Sequence, residues 1–363
     1  MTDTEARPRP SPDEPPARPQ RGATGTTRRH AVLRWCRHQG LLLLTFLLAA
    51  APIVYVGFRE FDIDDPATGG DDGDSAAYAR MALTGDLDGI EKPFRYRVVV
   101  PFLAHVWLHL GERPEAGDVQ ATFAVLNMIG LALAAWAMCN FLRRFGFSAQ
   151  EGFTGALLFL ATWPVLRFGG VVLTDAWSHA VLAGAAYAIV ARKHRLLLVV
   201  ATVGMFVRET TVIAVLLVLV VAAPRATRLR QLACFVPGVL GYLLFRFVLA
   251  PTTDGYAYNL DRMERQLVDV SSASGLPSTL RELALTFGAT GLLLVVGLVR
   301  NRRLGALPRN LYWLIPVAFV IPFLIASNLA RVWFLAFPAA IPLALLGLRA
   351  VLGEERAPAD RPT

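Results

Sequence analysis

Charge is scarce in this 363-residue sequence: 18% of its residues are Asp, Glu, Lys or Arg, against about 25% in an ordinary soluble domain. Cysteine is scarcer still, with Cys36, Cys139 and Cys234 alone. An odd number of thiols, all in or beside apolar runs, excludes a disulfide framework, and no Cys/His spacing resembles a zinc site. Lysine is nearly missing, so the net charge of +8 is carried by arginine. The skew towards Arg, Ala, Gly and Pro suits a GC-rich genome. What fills the chain instead is apolar: 55% of residues are hydrophobic, gathered in runs such as 41–56 and 196–207. Runs of that length predict membrane-spanning helices and exclude a soluble enzyme.

The basic residues sit between the apolar runs, a mark of membrane topology, and no helix carries the continuous basic face of a nucleic-acid binder. Residues 1–35 form a Pro- and Arg-rich tail, expected to be disordered and cytoplasmic. It is no signal peptide, because the apolar stretch after it starts late and is long. Spans are expected at 41–58, 119–142, 150–166, 176–191, 231–249, 283–300, 311–326 and 332–351. With eight crossings, Arg143, Arg144, Arg192, Arg195, Arg302 and Arg303 all fall on the cytoplasmic side. The run 196–223 is interrupted at Arg208-Glu209 and flanked by basic clusters on both sides. It therefore reads as a re-entrant helix pair, with the break lining a cavity. Residues 98–110 are too short to span and are expected half-submerged. The fold class is thus all-α: a polytopic transmembrane helix bundle over 36–352 in the plasma membrane. Both termini, including a 353–363 tail, are cytoplasmic, and the long loops 59–97 and 251–282 lie outside. No internal repeat is detectable, which disfavours transporters built from inverted repeats.

Loop 59–97 concentrates acids, among them Asp62, Asp64, Asp65, Asp71, Asp72, Asp74, Asp86 and Asp88. A solvated acidic loop explains most of them. Asp74 stands apart, because 75–83 reads as a helix that it would N-cap, with Tyr78 aligned beside it. Arg95 and Arg97, where the chain enters the membrane, suit either a phosphate site or interfacial anchoring. Asp175 follows Gly169-Gly170-Val171-Val172-Leu173-Thr174 at the outer start of a helix, where an N-cap role would by itself account for it, with a functional role the alternative. Arg208 and Glu209 interrupt an apolar run, where ionisable groups mark function by default; a mutual ion pair is the alternative. Arg331, in Asn328-Leu329-Ala330-Arg331, lies outside against positive-inside statistics. His105 and His109 have i,i+4 spacing but lack the glutamate of a zinc protease motif, so no metal is assigned.

In their order, these features resemble bacterial membrane enzymes of the glycosyltransferase C (GT-C) superfamily. The matching pieces are Asp74-Ser75-Ala76-Ala77-Tyr78, Phe94-Arg95-Tyr96-Arg97, Leu173-Thr174-Asp175, Phe206-Val207-Arg208-Glu209 and Ala330-Arg331-Val332. The resemblance spans most of 41–352. It implies transfer of a sugar from a polyprenyl-phosphate donor in the membrane to an extracytoplasmic acceptor of the cell envelope or a secreted product. Asp74 is implied as the catalytic carboxylate, with Asp72 its nearest rival. Tyr78, Arg95, Arg97, Asp175, Arg208, Glu209, Asn328 and Arg331 are implied as substrate-binding residues. The three arginines Arg97, Arg208 and Arg331 would hold the lipid phosphate. With one carboxylate acting on the acceptor, displacement would invert the anomeric centre. No cofactor is expected, and a divalent cation is left open. Partners are the lipid-linked donor, membrane lipid and the acceptor, with no nucleic acid. The competing reading is a multi-pass transporter or flippase of lipid-linked sugars, and a third is a catalytically inert scaffold.

Overall fold

The computed structural model describes residues 24–61, 73–110, 116–221, 223–252, 260–304, 307–325 and 329–353. Among the described residues it is all-helical, with no strands. The chain divides into two compact units, 1–42 and 43–363. The described part of the first is the opening stretch of α1 (Thr24–Glu60). That helix begins inside the 1–35 segment expected to be disordered. Ala, Leu and Arg are good helix formers, and a helix once nucleated propagates cheaply into such sequence.

The second unit carries the rest. A capping layer is made by α2 (Gly73–Thr84) and α3 (Val99–Leu108), which pack on the start of α4 (Ala116–Arg144). Tyr78, Met81, Phe94, Val100, Ala104, Phe123 and Val172 form its buried core. α3 buries Val100, Ala104 and Leu108 and leaves Phe102, Val106 and Trp107 exposed, the apolar outer face expected of a half-submerged helix. Next come α5 (Ala149–Leu160), α6 (Trp163–Phe168), α7 (Asp175–Val190) and α8 (His194–Val207). α9 (Ala214–Val220), α10 (Arg225–Ala233), α11 (Val236–Leu244) and α12 (Leu260–Ser271) follow, then α13 (Gly275–Leu304), α14 (Leu314–Ile325), α15 (Leu329–Val332) and α16 (Phe337–Val351).

Among the described residues, five stretches are long and apolar enough to cross a membrane: Trp35–Glu60, Gly117–Arg144, Arg225–Leu249, Gly275–Arg302 and Trp333–Val351. The other three expected spans, 150–166, 176–191 and 311–326, fall on shorter or interrupted helices. The 150–166 helix breaks after Leu160, because Pro164 opens a new helix at α6. α7 has 16 residues, about 24 Å at 1.5 Å per residue. The 311–326 span opens with a 3-10 turn at Arg309–Trp313 before the 12-residue α14.

Glycines set the closest contacts. A Cβ on Gly297 would lie 1.8 Å from the Leu343 carbonyl, so α13 and α16 cross at backbone contact, as small residues permit in membrane bundles. Gly170 passes α1 in the same way, 2.5 Å from the Val54 carbonyl to a hypothetical Cβ. α4 and α7 run parallel, Gly130 lying against Ala176 and Trp136 against Tyr187.

The run 196–223 breaks where its charges sit. Arg208 is extended (φ −163°, ψ 130°) between α8 and a 3-10 turn at Glu209–Ile213. Arg208 meets Asp175 at one end of α7, whereas Gln231 beyond α9 donates to the Ile189 carbonyl at the other. The chain therefore runs to the Asp175 end of α7 along α8 and comes back through α9. Cys234 meets the His194 carbonyl, and Arg349 meets Glu151, so the clusters around 143, 192, 228 and 349 share one end of the bundle.

Candidate functional site

At the other end, five separate segments bring their charged residues together. Arg97 caps the 3-10 turn Phe94–Tyr96 and is buried just before α3. Its Nε and Nη2 form a fork on Glu209, at 3.0 Å to Oε2 and 2.6 Å to Oε1. Its Nη1 donates to the Tyr78 hydroxyl at 3.1 Å, and its guanidinium lies 5.7 Å from the Phe94 ring centroid. Burial pushes the Tyr78 phenol above its ordinary pKa, against the pull of Arg97.

Glu209 and Arg208 do not pair with each other. Extended backbone sends successive side chains to opposite sides, so Glu209 turns to Arg97 while Arg208 Nη1 donates to Asp175 Oδ1 at 2.6 Å. Asp175 is the hub. It is not the N-cap expected from the sequence: Thr174 holds that position without a side-chain bond, and Asp175 is the first helical residue. A carboxylate there gains from the helix dipole. Arg331 completes the hub with a second fork, Nε to Oδ1 at 2.9 Å and Nη2 to Oδ2 at 2.6 Å. Its remaining Nη1 binds Asp74 Oδ2, and its guanidinium faces the Phe168 ring.

Asp74 also departs from expectation. α2 starts at Gly73, so Asp74 lies within its first turn, not at the N-cap of a helix over 75–83. Its side chain is 23% exposed, whereas that of Asp175 is 2% exposed. Asp74 thus stands on the rim and Asp175 in the interior of one network. Asp74, Tyr78, Arg97, Asp175, Arg208, Glu209 and Arg331 all belong to it. Arg95 does not: its Nη1 donates to the Leu87 carbonyl at 2.7 Å and ties down the loop. Asp72 and Asn328 lie outside the described residues. His105 Nδ1 is 2.9 Å from the Ala82 carbonyl, and among the described residues no group of three or more His, Cys, Asp or Glu could hold a metal.

The sequence reading missed several contributors. His179, one turn below Asp175, is buried with its ring against Phe159, Phe334 and Phe337; the i,i+4 spacing from Asp175 was its available signal. Asn127 donates to the Val171 carbonyl at 2.7 Å and fixes the segment leading into α7. Arg208 Nε and the Thr174 hydroxyl find no hydrogen-bond partner among the described residues. They are spare donors in a place where buried polar atoms are normally satisfied.

Chemically, the site offers three guanidiniums fixed by three carboxylates, with Asp74, the most exposed of the three, at its edge. Such an edge can take a proton from a hydroxyl, and the guanidiniums behind it can hold an oxyanion. No protein-family model matches the chain, and no curated protein or solved structure is significantly similar to it.

Proposed function

We propose that the protein is a GT-C-type membrane glycosyltransferase of the inverting kind, moving a sugar from a polyprenyl-phosphate donor to an extracytoplasmic acceptor. One observation carries the reading: Asp74, on the acid-rich loop segment, reaches Arg331 in a network that also holds Arg208 and Arg97. In the reaction, Asp74 accepts the proton of the acceptor hydroxyl as its oxygen bonds the anomeric carbon. The bond from that carbon to the phosphate oxygen breaks, and its electron pair leaves on the lipid phosphate. Arg331 and Arg208 are placed to stabilise that growing negative charge. Asp175 touches neither reactant; it positions both guanidiniums.

The test is the fate of a radiolabelled polyprenyl-phosphate sugar given to the purified protein, with envelope membranes supplying the acceptor. Transferase action moves label to a new product with inverted anomeric configuration and releases polyprenyl phosphate. Recovery of the lipid-linked sugar intact, but on the opposite leaflet of a vesicle, would replace this reading with a flippase.

A further inference from the structure

Resting on the transferase reading, we propose that Asp74 and the donor phosphate compete for the same guanidinium nitrogen, Arg331 Nη1, so that donor binding itself releases the base. Arg331 divides its donors unequally. Nε and Nη2 are both engaged by Asp175, a side chain 2% exposed. Nη1 faces Asp74, the most exposed of the three carboxylates in the network. A fork on a buried carboxylate is hard to undo, because an unpaired buried charge is costly. A single contact at the rim costs far less to exchange, since water or an acceptor hydroxyl can solvate the freed carboxylate.

The charge balance points the same way. Among the described residues, Arg97, Arg208 and Arg331 face Glu209, Asp175 and Asp74, three cations against three anions. A phosphate entering this set meets guanidiniums that each already hold a carboxylate. A carboxylate that gives up its guanidinium makes room for it beside the spare Arg208 Nε, and Asp74 is the one placed to do so. Glu209 is held by two nitrogens of Arg97, and Asp175 by two different arginines. While Asp74 is bound to Arg331, one lone pair of Oδ2 is engaged and the carboxylate is held against the guanidinium. After exchange the carboxylate stands free beside a guanidinium that now holds the leaving group. Base and leaving-group clamp are then assembled together, and only when donor is present. The same contact that neutralises the empty site therefore sets an order of binding, donor before acceptor.

The experiment is equilibrium binding of fluorescent polyprenyl phosphate to the full-length protein in nanodiscs, alongside the transfer assay. Asp74→Asn removes the competitor, so it should tighten binding about tenfold, the size of one hydrogen bond to a charged group, while transfer collapses. Asp86→Asn removes an equal charge from an exposed position on the same loop, where Asp86 caps its own turn, and should leave affinity unchanged. Unchanged or weaker binding in Asp74→Asn, with transfer still lost, would overturn the exchange and leave the transferase reading standing. Equal tightening in both variants would also overturn it, since bulk charge would then suffice. A wild-type protein that neither binds polyprenyl phosphate nor transfers sugar would end both.

Discussion

Glu151 with Arg349, and Asp175 with Arg331, are both carboxylate–arginine forks inside the bundle, at opposite ends of it. The Glu151 fork joins α5 to α16. Glu151 accepts Arg349 Nη2 at 2.8 Å and binds its Nε, and the same carboxylate completes a capping box with Ser148 at the start of α5. Arg349 lies over the Phe147 ring, 5.0 Å from its centroid. Every part of that arrangement serves to pin α16 to α5. The Asp175 fork is open: it passes charge on to Arg208 on one side and, through Arg331, to Asp74 at the rim. Similar chemistry thus makes a rivet at one end and a site at the other. The difference lies in connectivity: Asp175 engages two arginines, and Arg331 engages two carboxylates.

The comparison can be broken most severely at the hub. Asp175→Ala leaves two arginines facing a buried void and should cost about 3–5 kcal/mol of stability, the range for removing one partner of a buried pair. Thermal unfolding of the purified protein measures it. A loss under 1 kcal/mol would mean that Arg208 and Arg331 find other partners, and the hub would not be one. Arg208→Lys is expected to be milder. Lysine can keep the one contact to Asp175 but loses the planar fork, so donor affinity should fall about tenfold with little change in melting.

The smallest perturbation asks whether the two ends face different sides of the membrane. In a cysteine-free background, Ser274→Cys should react with an impermeant thiol reagent applied from outside, and Thr227→Cys should not. Labelling of Thr227→Cys from outside would put the basic end, and the hairpin reading of 196–223, on the wrong side.

Some of this was legible in the sequence. Ionisable residues inside apolar runs give themselves away, because burying them is costly without a partner. Arg208 and Glu209 were therefore visible, and the helix does break there. Their partners were not visible: adjacency suggests a mutual pair, whereas the extended backbone at Arg208 sends the two side chains to different helices. The N-cap assignments of Asp74 and Asp175 were off by two residues and one, the usual uncertainty of helix ends. That small shift matters, since it turns a carboxylate from a cap into a free ligand for arginine. Breaks inside apolar runs are hidden for a related reason. An apolar run tells of burial, but α5, α7 and α14 are short helices whose ends turn within it.

The most direct measurement sets the two ends against each other in one preparation, recording melting temperature and sugar transfer per folded molecule for Asp74→Asn and Glu151→Gln. Asp74→Asn removes a rim carboxylate and should lose roughly 10²–10⁴ in rate, the contribution of a general base, with melting almost unchanged. Glu151→Gln can keep the capping box but loses the charged fork. It should melt earlier, at a cost of about 1–2 kcal/mol, and transfer sugar at the wild-type rate. If the two variants lose rate and stability in parallel, both ends are rivets and Asp74 is not the base.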